Sequence, residues 1–302
     1  MPPQKLQDAA RDADQLYAPF ILHQKRGGKT KERAIDNPLG PLKFIQNRIK
    51  TRLLDPLELP AFVTGGVKKR STQSNATAHV GRSEVVSLDL KNFFPSITND
   101  AVAQMWRQEF GASSSVAWLL TRLTTYKGHL PQGSPVSNAV ANLVALPFFA
   151  QVNELCNTGG ARLTAYVDDL SISGVRTRDH INDVAKAASR RGFRVARAKT
   201  SVMPAHTRQY VTGHTVNRKL SNGRRRLDDA WRRMQAALAG GDDPATLKSI
   251  RGLTTYLATT CPEQARRANT GLRQLQKRHA KLGKGRAERS RKAYRPTPRP
   301  SN

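Results

Sequence analysis

The stretch AYVDDLSIS, residues 165–173, limits the possible folds more than any other part of the chain. Its arms, Arg162 to Tyr166 and Leu170 to Ser173, are apolar and β-prone, and the VDD between them leaves room only for a tight hairpin turn. The hairpin therefore carries Asp168 and Asp169 at its tip. A second buried-strand pattern, Val85 to Leu90, ends on another acid, Asp89, in SLDLKNFF. Asp favours turns, so the pair alone reads equally well as ordinary turn chemistry. The three acids together point further. Phosphoryl transfer needs charge neutralised on the attacking and leaving oxygens, which two metals roughly 3.5–4 Å apart can do. Mg²⁺ prefers carboxylate and phosphate oxygens and keeps several waters, so one or two carboxylates per ion suffice. Three buried like charges without cations would be costly.

Charge narrows the partner. Lys and Arg number 51 against 22 acids, giving a net charge of +29 and a pI near 11.1. Such an excess repels itself, and a polyanion is the natural neutralising partner. Nucleic acid comes first. A membrane surface would call for a basic amphipathic helix or a long apolar run, and neither is read here. Cys156 and Cys261 lie far apart, with no CxxC or Cys/His cluster. That argues against a disulfide scaffold or a zinc site and suits a reducing cytoplasm. The N-terminus, MPPQKLQDAARDADQLY, carries acids and no apolar core, so no secretory signal is expected.

Along the chain the pattern alternates between strands and helices. Residues 1–16 read as a polar helix, and Tyr17 to Gln24 and Arg33 to Ile35 as strands joined across Gly27-Gly28. A helix follows with Leu42, Ile45, Ile49 and Leu53 at helical spacing. Ala61 to Arg70 reads as loop, and Asn75 to His79 is ambiguous. Asn99 opens a helix, residues 113–126 form another, and a long one runs from about Pro135 to Cys156 across Pro147. Ile181 to Arg191 is helical, Phe193 to Ala196 a strand, and Gln209 to Val216 a strand pair. Leu227 to Ala280 is helical, broken at GGDDP and at Cys261-Pro262. The last twenty residues, GKGRAERSRKAYRPTPRPSN, form a basic Pro-rich tail expected to be disordered until bound.

Several stretches resemble reverse transcriptases in order and spacing. SLDLKNFFPSI resembles the first palm motif, LPQGSPVSNAVAN the second, and AYVDDLSIS the metal-binding hairpin. ARAKTSVM and RQYVTGHTVNRK resemble the two motifs that follow, and KRGGKTKERAIDNP with LKFIQNRI is similar to the fingers. The resemblance covers about residues 17 to 220. NATAH (Asn75 to His79) and VTG (Val211 to Gly213) are similar to two elements of the retron-type bacterial reverse transcriptases. Val167 departs from the Ala usual there.

The resemblance implies an α/β (α+β) right-hand polymerase fold. Residues 1–84 would be the N-terminal fingers and 85–221 the palm, with a small antiparallel sheet and inserted fingers helices. Residues 222–282 would be a helical thumb and 283–302 a basic disordered tail. Asp89, Asp168 and Asp169 would hold two Mg²⁺ ions, or Mn²⁺. Phe94, five residues past Asp89, would exclude a ribose 2′-OH by clash. Gln132 would touch nucleotide or template, and Gly133 would allow close backbone approach or serve as plain turn chemistry. Arg33 and Lys31 would grip the triphosphate. Lys199 resembles the lysine that protonates the leaving pyrophosphate, though surface lysines are common. Asn75, His79, Val211, Thr212 and Gly213 would read a cognate RNA. Arg224, Arg225 and Arg226, with other thumb cations, would contact phosphates.

The implied activity is RNA-directed DNA synthesis from dNTPs on a structured non-coding RNA, primed by an RNA 2′-OH. An effector protein encoded nearby, a role in anti-phage defence and a cytoplasmic location belong to the same expectation. One alternative is a related defence reverse transcriptase with another primer and RNA. Another is a non-catalytic RNA-binding scaffold of the same fold, against which the clustered acids speak, since acids repel phosphate.

Overall fold

Helix α1 (Pro3–Arg11) leads into a long antiparallel hairpin, β1 (Tyr17–Arg26) and β2 (Lys29–Pro38), in register from Tyr17 opposite Pro38 to Arg26 opposite Lys29. The ladder runs past the expected strand Arg33 to Ile35 at both ends, because backbone pairing continues where the apolar pattern stops. A computed structural model of the chain describes residues 3–26, 29–240 and 243–293; the side chains of 25–29, of 31 and from 281 onward lie outside the description. The Gly27-Gly28 turn lies outside it too.

Helix α2 (Gly40–Ile49) buries Leu42, Ile45 and Ile49 as its spacing predicts, but passes into a π-helical turn, Lys50–Leu54. The wider turn slips the phase by one residue. Leu54 enters the core, and Leu53, the expected core position, is exposed. The loop that follows is irregular, as expected, yet tightly held. Arg70 donates to the carbonyls of Leu59, Pro60 and Val63. Helix α3 (Thr72–Thr77) settles the ambiguous NATAH segment; Ser71 and Ser74 form its capping box.

The central sheet has the strand order β4-β5-β3-β6. Strand β3 (Glu84–Asp89) is followed by α4 (Phe93–Ser96), α5 (Asn99–Phe110), α6 (Ser114–Thr124) and α7 (Ser137–Thr158). The chain then returns as β4 (Arg162–Tyr166) and β5 (Asp169–Gly174), which pair with Tyr166 opposite Asp169. Helix α8 (Ile181–Arg190) precedes β6 (Ser201–Pro204), an edge strand the apolar pattern does not announce. Phe193 to Ala196, expected as a strand, makes only an isolated bridge from Val195 to Leu90; Phe193 itself is core. Helix α7 carries Pro147 inside and is long and apolar enough to cross a membrane. Half of that apolar stretch is buried within the protein, where Phe148 and Phe149 are fully enclosed. It is a core helix.

The chain divides into two compact units, residues 1–212 with 216–218, and residues 213–215 with 219–302. The first unit holds fingers and palm segments together, so the division expected at 84/85 is not one between units. It also carries the short strand β7 (Tyr210–Val211). In the second unit, β8 (His214–Thr215) pairs with β9 (Ser221–Asn222) beside α9 (Arg224–Gly240), α10 (Pro244–Thr260) and α11 (Pro262–Ala293). The breaks fall at GGDDP and Cys261-Pro262 as expected: Asp243 caps α10 and Pro262 starts α11. Met234, Ile250, Leu257 and Leu275 are among its core residues. The backbone of α11 is helical through Ala293, past the boundary expected at 282/283; residues 294–302 lie outside the described part.

Candidate active site

Antiparallel register brings the acids together. Asp89 closes β3 and Asp169 opens β5, and the two are directly paired across the ladder. Asp168 sits in the two-residue loop between β4 and β5 and is half-buried, with its carbonyl accepting from the Leu90 nitrogen at 2.9 Å. The loop's first residue, Val167, has φ +60, a region where a β-branched side chain is strained by about 1–3 kcal/mol.

What holds the strained turn comes from a distant segment. Thr64 N donates to the Ala165 carbonyl at 2.7 Å, and Ala165 N donates to Phe62 O at 2.7 Å. Gly65 lies flat beneath the turn: a methyl there would fall on the Val167 nitrogen and within 2.7 Å of the Tyr166 carbonyl carbon. Asn142 Nδ2 fixes Gly65 from the other side through its carbonyl, at 2.8 Å. The sequence reading took this segment for plain loop. A Gly-Gly pair was the only visible signal, and nothing in its spacing names a partner about a hundred residues away.

Two cationic groups lie within reach of the acids. Lys199 Nζ donates to Asp89 Oδ1 at 2.6 Å, carried there because Ala196 N donates to the Asp89 carbonyl at 2.7 Å. Burial pushes the Asp168 carboxyl above its ordinary pKa, and the Asp89 charge pushes the same way, while Lys199 and Arg33 pull it down. Arg33 of β2 is thus within electrostatic reach of Asp168. The side chain of Lys31 lies outside the described residues.

The backbone of Gln132 and Gly133 meets β2, while Gln132 stays half-buried and Gly133 exposed. Asp36 N donates to the Gln132 carbonyl at 2.8 Å, and Gln132 N donates to Asp36 Oδ2 at 3.2 Å. Gly133 has φ +126, and a methyl there would lie 2.8 Å from Ile35 Cγ2. Its close approach is therefore to the fingers strand. Phe93 is core at 3 % exposure, whereas Phe94 is half-buried, its ring 5.7 Å from that of Phe93.

Among the described residues no group of three or more His, Cys, Asp or Glu side chains is already gathered as an ion site. The donor set nevertheless fits divalent cations. Asp89 and Asp169 are register partners, Asp168 carries a burial penalty that a nearby cation would relieve, and an ammonium already neutralises Asp89.

The expected RNA-reading residues need correcting. Asn75 is 1 % exposed and His79 fully buried, with protein partners on each. His79 bonds Ser173 Oγ through Nδ1 at 2.7 Å and Thr164 Oγ1 through Nε2 at 2.8 Å, tying β5 to β4. Burial pulls its pKa down to about 3, so it is neutral. Val211 is buried as well. All three side chains are buried in the first unit, where the RNA-reading expectation had them exposed. Thr212 is half-buried, with φ +42, and its hydroxyl donates to Thr72 O at 3.0 Å.

In the second unit Gly213 has φ +92, and a methyl there would lie 2.6 Å from Arg226 Nη2. Arg226 stacks 4.6 Å from the centre of the Tyr256 ring and donates to its hydroxyl, which bonds His214 Nε2 at 2.9 Å. Arg226 is thus half-buried and engaged with Tyr256 within the second unit. Arg224 and Arg225 are exposed on α9, Arg224 reaching Asp228 at 3.9 Å.

Residues 23–216 match the family profile described as reverse transcriptase (RNA-dependent DNA polymerase). The chain is 26 % identical to the retron Ec86 reverse transcriptase of Escherichia coli, over 89 % of this chain and 84 % of that one. It is 28 % and 30 % identical to the retron Mx162 and Mx65 reverse transcriptases of Myxococcus xanthus, over 83 % and 85 % of this chain. It spans only 59 % and 64 % of those two proteins. Two solved structures share its fold. A Sicinivirus RNA-dependent RNA polymerase, 3Dpol, has a TM-score of 0.57 at 15 % identity, over 92 % of this chain and 66 % of that one. A Candida albicans telomerase in complex with a telomeric RNA fragment has 0.51 at 10 %, over 89 % and 56 %. The right-hand polymerase fold expected from the motifs is the fold observed. With the family profile covering most of the first unit and the retron enzymes matching along most of the chain, the protein belongs to the reverse transcriptase family as an RNA-directed DNA polymerase of the retron type.

Proposed function

We propose that the chain copies a cognate structured non-coding RNA into DNA at the centre formed by Asp89, Asp168 and Asp169. The observation that carries this reading is the direct pairing of Asp89 with Asp169 beside the half-buried, charge-stressed carboxyl of Asp168. Two Mg²⁺ ions, or Mn²⁺, held by these carboxylates would neutralise the entering 3′-oxygen and the leaving pyrophosphate. Arg33 lies near enough to Asp168 to bind the triphosphate, with Lys31 of the same strand assigned beside it. Lys199, held at Asp89, is placed to give a proton to the leaving pyrophosphate once Asp89 is otherwise neutralised. Phe94 presents a half-buried ring for exclusion of the ribose 2′-OH. Gln132, braced on Asp36, fixes the loop against which nucleotide and template lie.

Kinship with the retron enzymes supports priming from an RNA 2′-OH, a role in anti-phage defence and a neighbouring effector protein. The buried, unpaired cysteines agree with work in the cytoplasm. Arg224, Arg225 and the remaining cations of the second unit supply duplex phosphate contacts. Expressed with its native flanking DNA, the protein is expected to co-purify with a DNA strand complementary to one structured RNA and joined to it by a 2′ branch. Recovery of RNA without any complementary DNA would contradict the proposal.

A further inference from the structure

Three side chains of the first unit, Thr64 and Asn75 buried and Thr212 half-buried, form a continuous hydrogen-bonded run that the reaction as described does not use. Thr64 Oγ1 shares its proton between Asn75 Oδ1 at 2.5 Å and the Ala165 carbonyl at 3.0 Å. Asn75 Nδ2 donates to Thr212 Oγ1 at 3.2 Å, and that hydroxyl donates on to Thr72 O. Thr64 and Asn75 are 4 % and 1 % exposed, so water does not compete for these bonds. One end of the run is Ala165, two residues before the strained Val167 and three before Asp168. The other is Thr212, the residue at which the first unit gives way to the second. Thr212 is itself β-branched at φ +42, a conformation its two hydrogen bonds hold in place.

We propose that Thr64, Asn75 and Thr212 are positioning residues for DNA synthesis, a relay within the first unit that fixes the catalytic turn against Thr72 and Thr212. The relay touches neither metal ions nor nucleotide. It acts through the carbonyl of Ala165 on the angle at which the turn offers Asp168. Misplacement of a reacting group by about 1 Å can cost about a hundredfold in rate, so a small loss of tension in the run has a large kinetic effect. The relay gives the buried NATAH and VTG elements a common purpose: they meet each other inside the protein.

This inference rests on the polymerase reading above, and the test separates the two. Single-turnover dNTP addition is measured on a pre-annealed DNA primer and generic RNA template, with primer–template affinity and thermal melting recorded in parallel. Thr64→Val and Thr212→Val keep the side-chain shape and remove the hydroxyl. Each is expected to slow addition about tenfold while leaving primer–template affinity unchanged, and Thr64→Ser and Thr212→Ser to restore it. The double valine variant should be no slower than either single one, because one broken link disables the whole run. Should Thr64→Val fail to fold, the half-buried Thr212 pair decides by the same criteria. Full rates in folded valine variants, additive losses, failure of serine to rescue, or a loss confined to primer–template affinity would each overturn the relay. A wild-type protein that adds no dNTP would instead overturn the polymerase reading.

Discussion

His79 shows how one residue's environment reassigns it. A histidine in NATAH was expected to read RNA, but the ring is enclosed and bonded at both nitrogens to hydroxyls of β4 and β5. Its pKa falls from 6.5 to about 3 through burial, with Arg162 and Arg82 adding to the shift. Unfolded protein therefore takes up a proton below about pH 6.5 that folded protein refuses until about 3. Stability contributed by the neutral ring is complete above that window and lost as pH falls through it, by about 1.4 kcal/mol per pH unit. Urea unfolding at pH 7 and pH 5 should show a smaller acid-side loss for His79→Gln than for wild type. Equal losses would mean that the ring titrates freely. Asp168 has the opposite sign. Its raised pKa means that ionisation weakens the folded state, so divalent cations should raise the melting temperature more at pH 7 than at pH 5, and Asp168→Asn should reduce that gain.

Elements with strong local signals were legible from the sequence, and those fixed by distant partners were not. The β4–β5 hairpin, the strand ending at Asp89, helix α7 and the two breaks around α10 follow from apolar period, turn length and Pro or Gly punctuation. The π-helical turn after Ile49 has no such signal, because Leu53 fits a 3.6-residue period better than Leu54 does. The structure predicts the reverse burial. Leu54→Ala should destabilise the protein by about 2–5 kcal/mol and Leu53→Ala by well under half that, measured by denaturant melts. Comparable costs would show a regular helix through Leu53. Strand β6 and the Val63–Gly65 segment were missed for a related reason: each is defined by a neighbour about a hundred residues away. Asn75 and Thr212 were singled out as RNA-reading residues, but isolated motifs cannot say whether a polar residue faces outward or inward.

For the molecule as a whole, a net charge of +29 and the acids Asp89, Asp168 and Asp169 make opposite demands, and the proposed phosphate-bearing partner brought in with cations would satisfy both. Under that proposal the surface charge would supply a general affinity for nucleic acid that weakens steeply with salt, and the acids would supply the chemistry. The measurement that tests this most directly is extension of a DNA primer on an RNA template with dNTPs and Mg²⁺, comparing wild type with Asp169→Asn. Asp169 is exposed at the open end of β5, so the change should leave folding and RNA binding intact. The expected result is template-directed DNA from the wild type and a rate at least about a thousandfold lower for the variant, with equal melting temperatures and equal RNA affinity. Undiminished synthesis by a folded Asp169→Asn protein would contradict the assignment of these carboxylates as the catalytic centre.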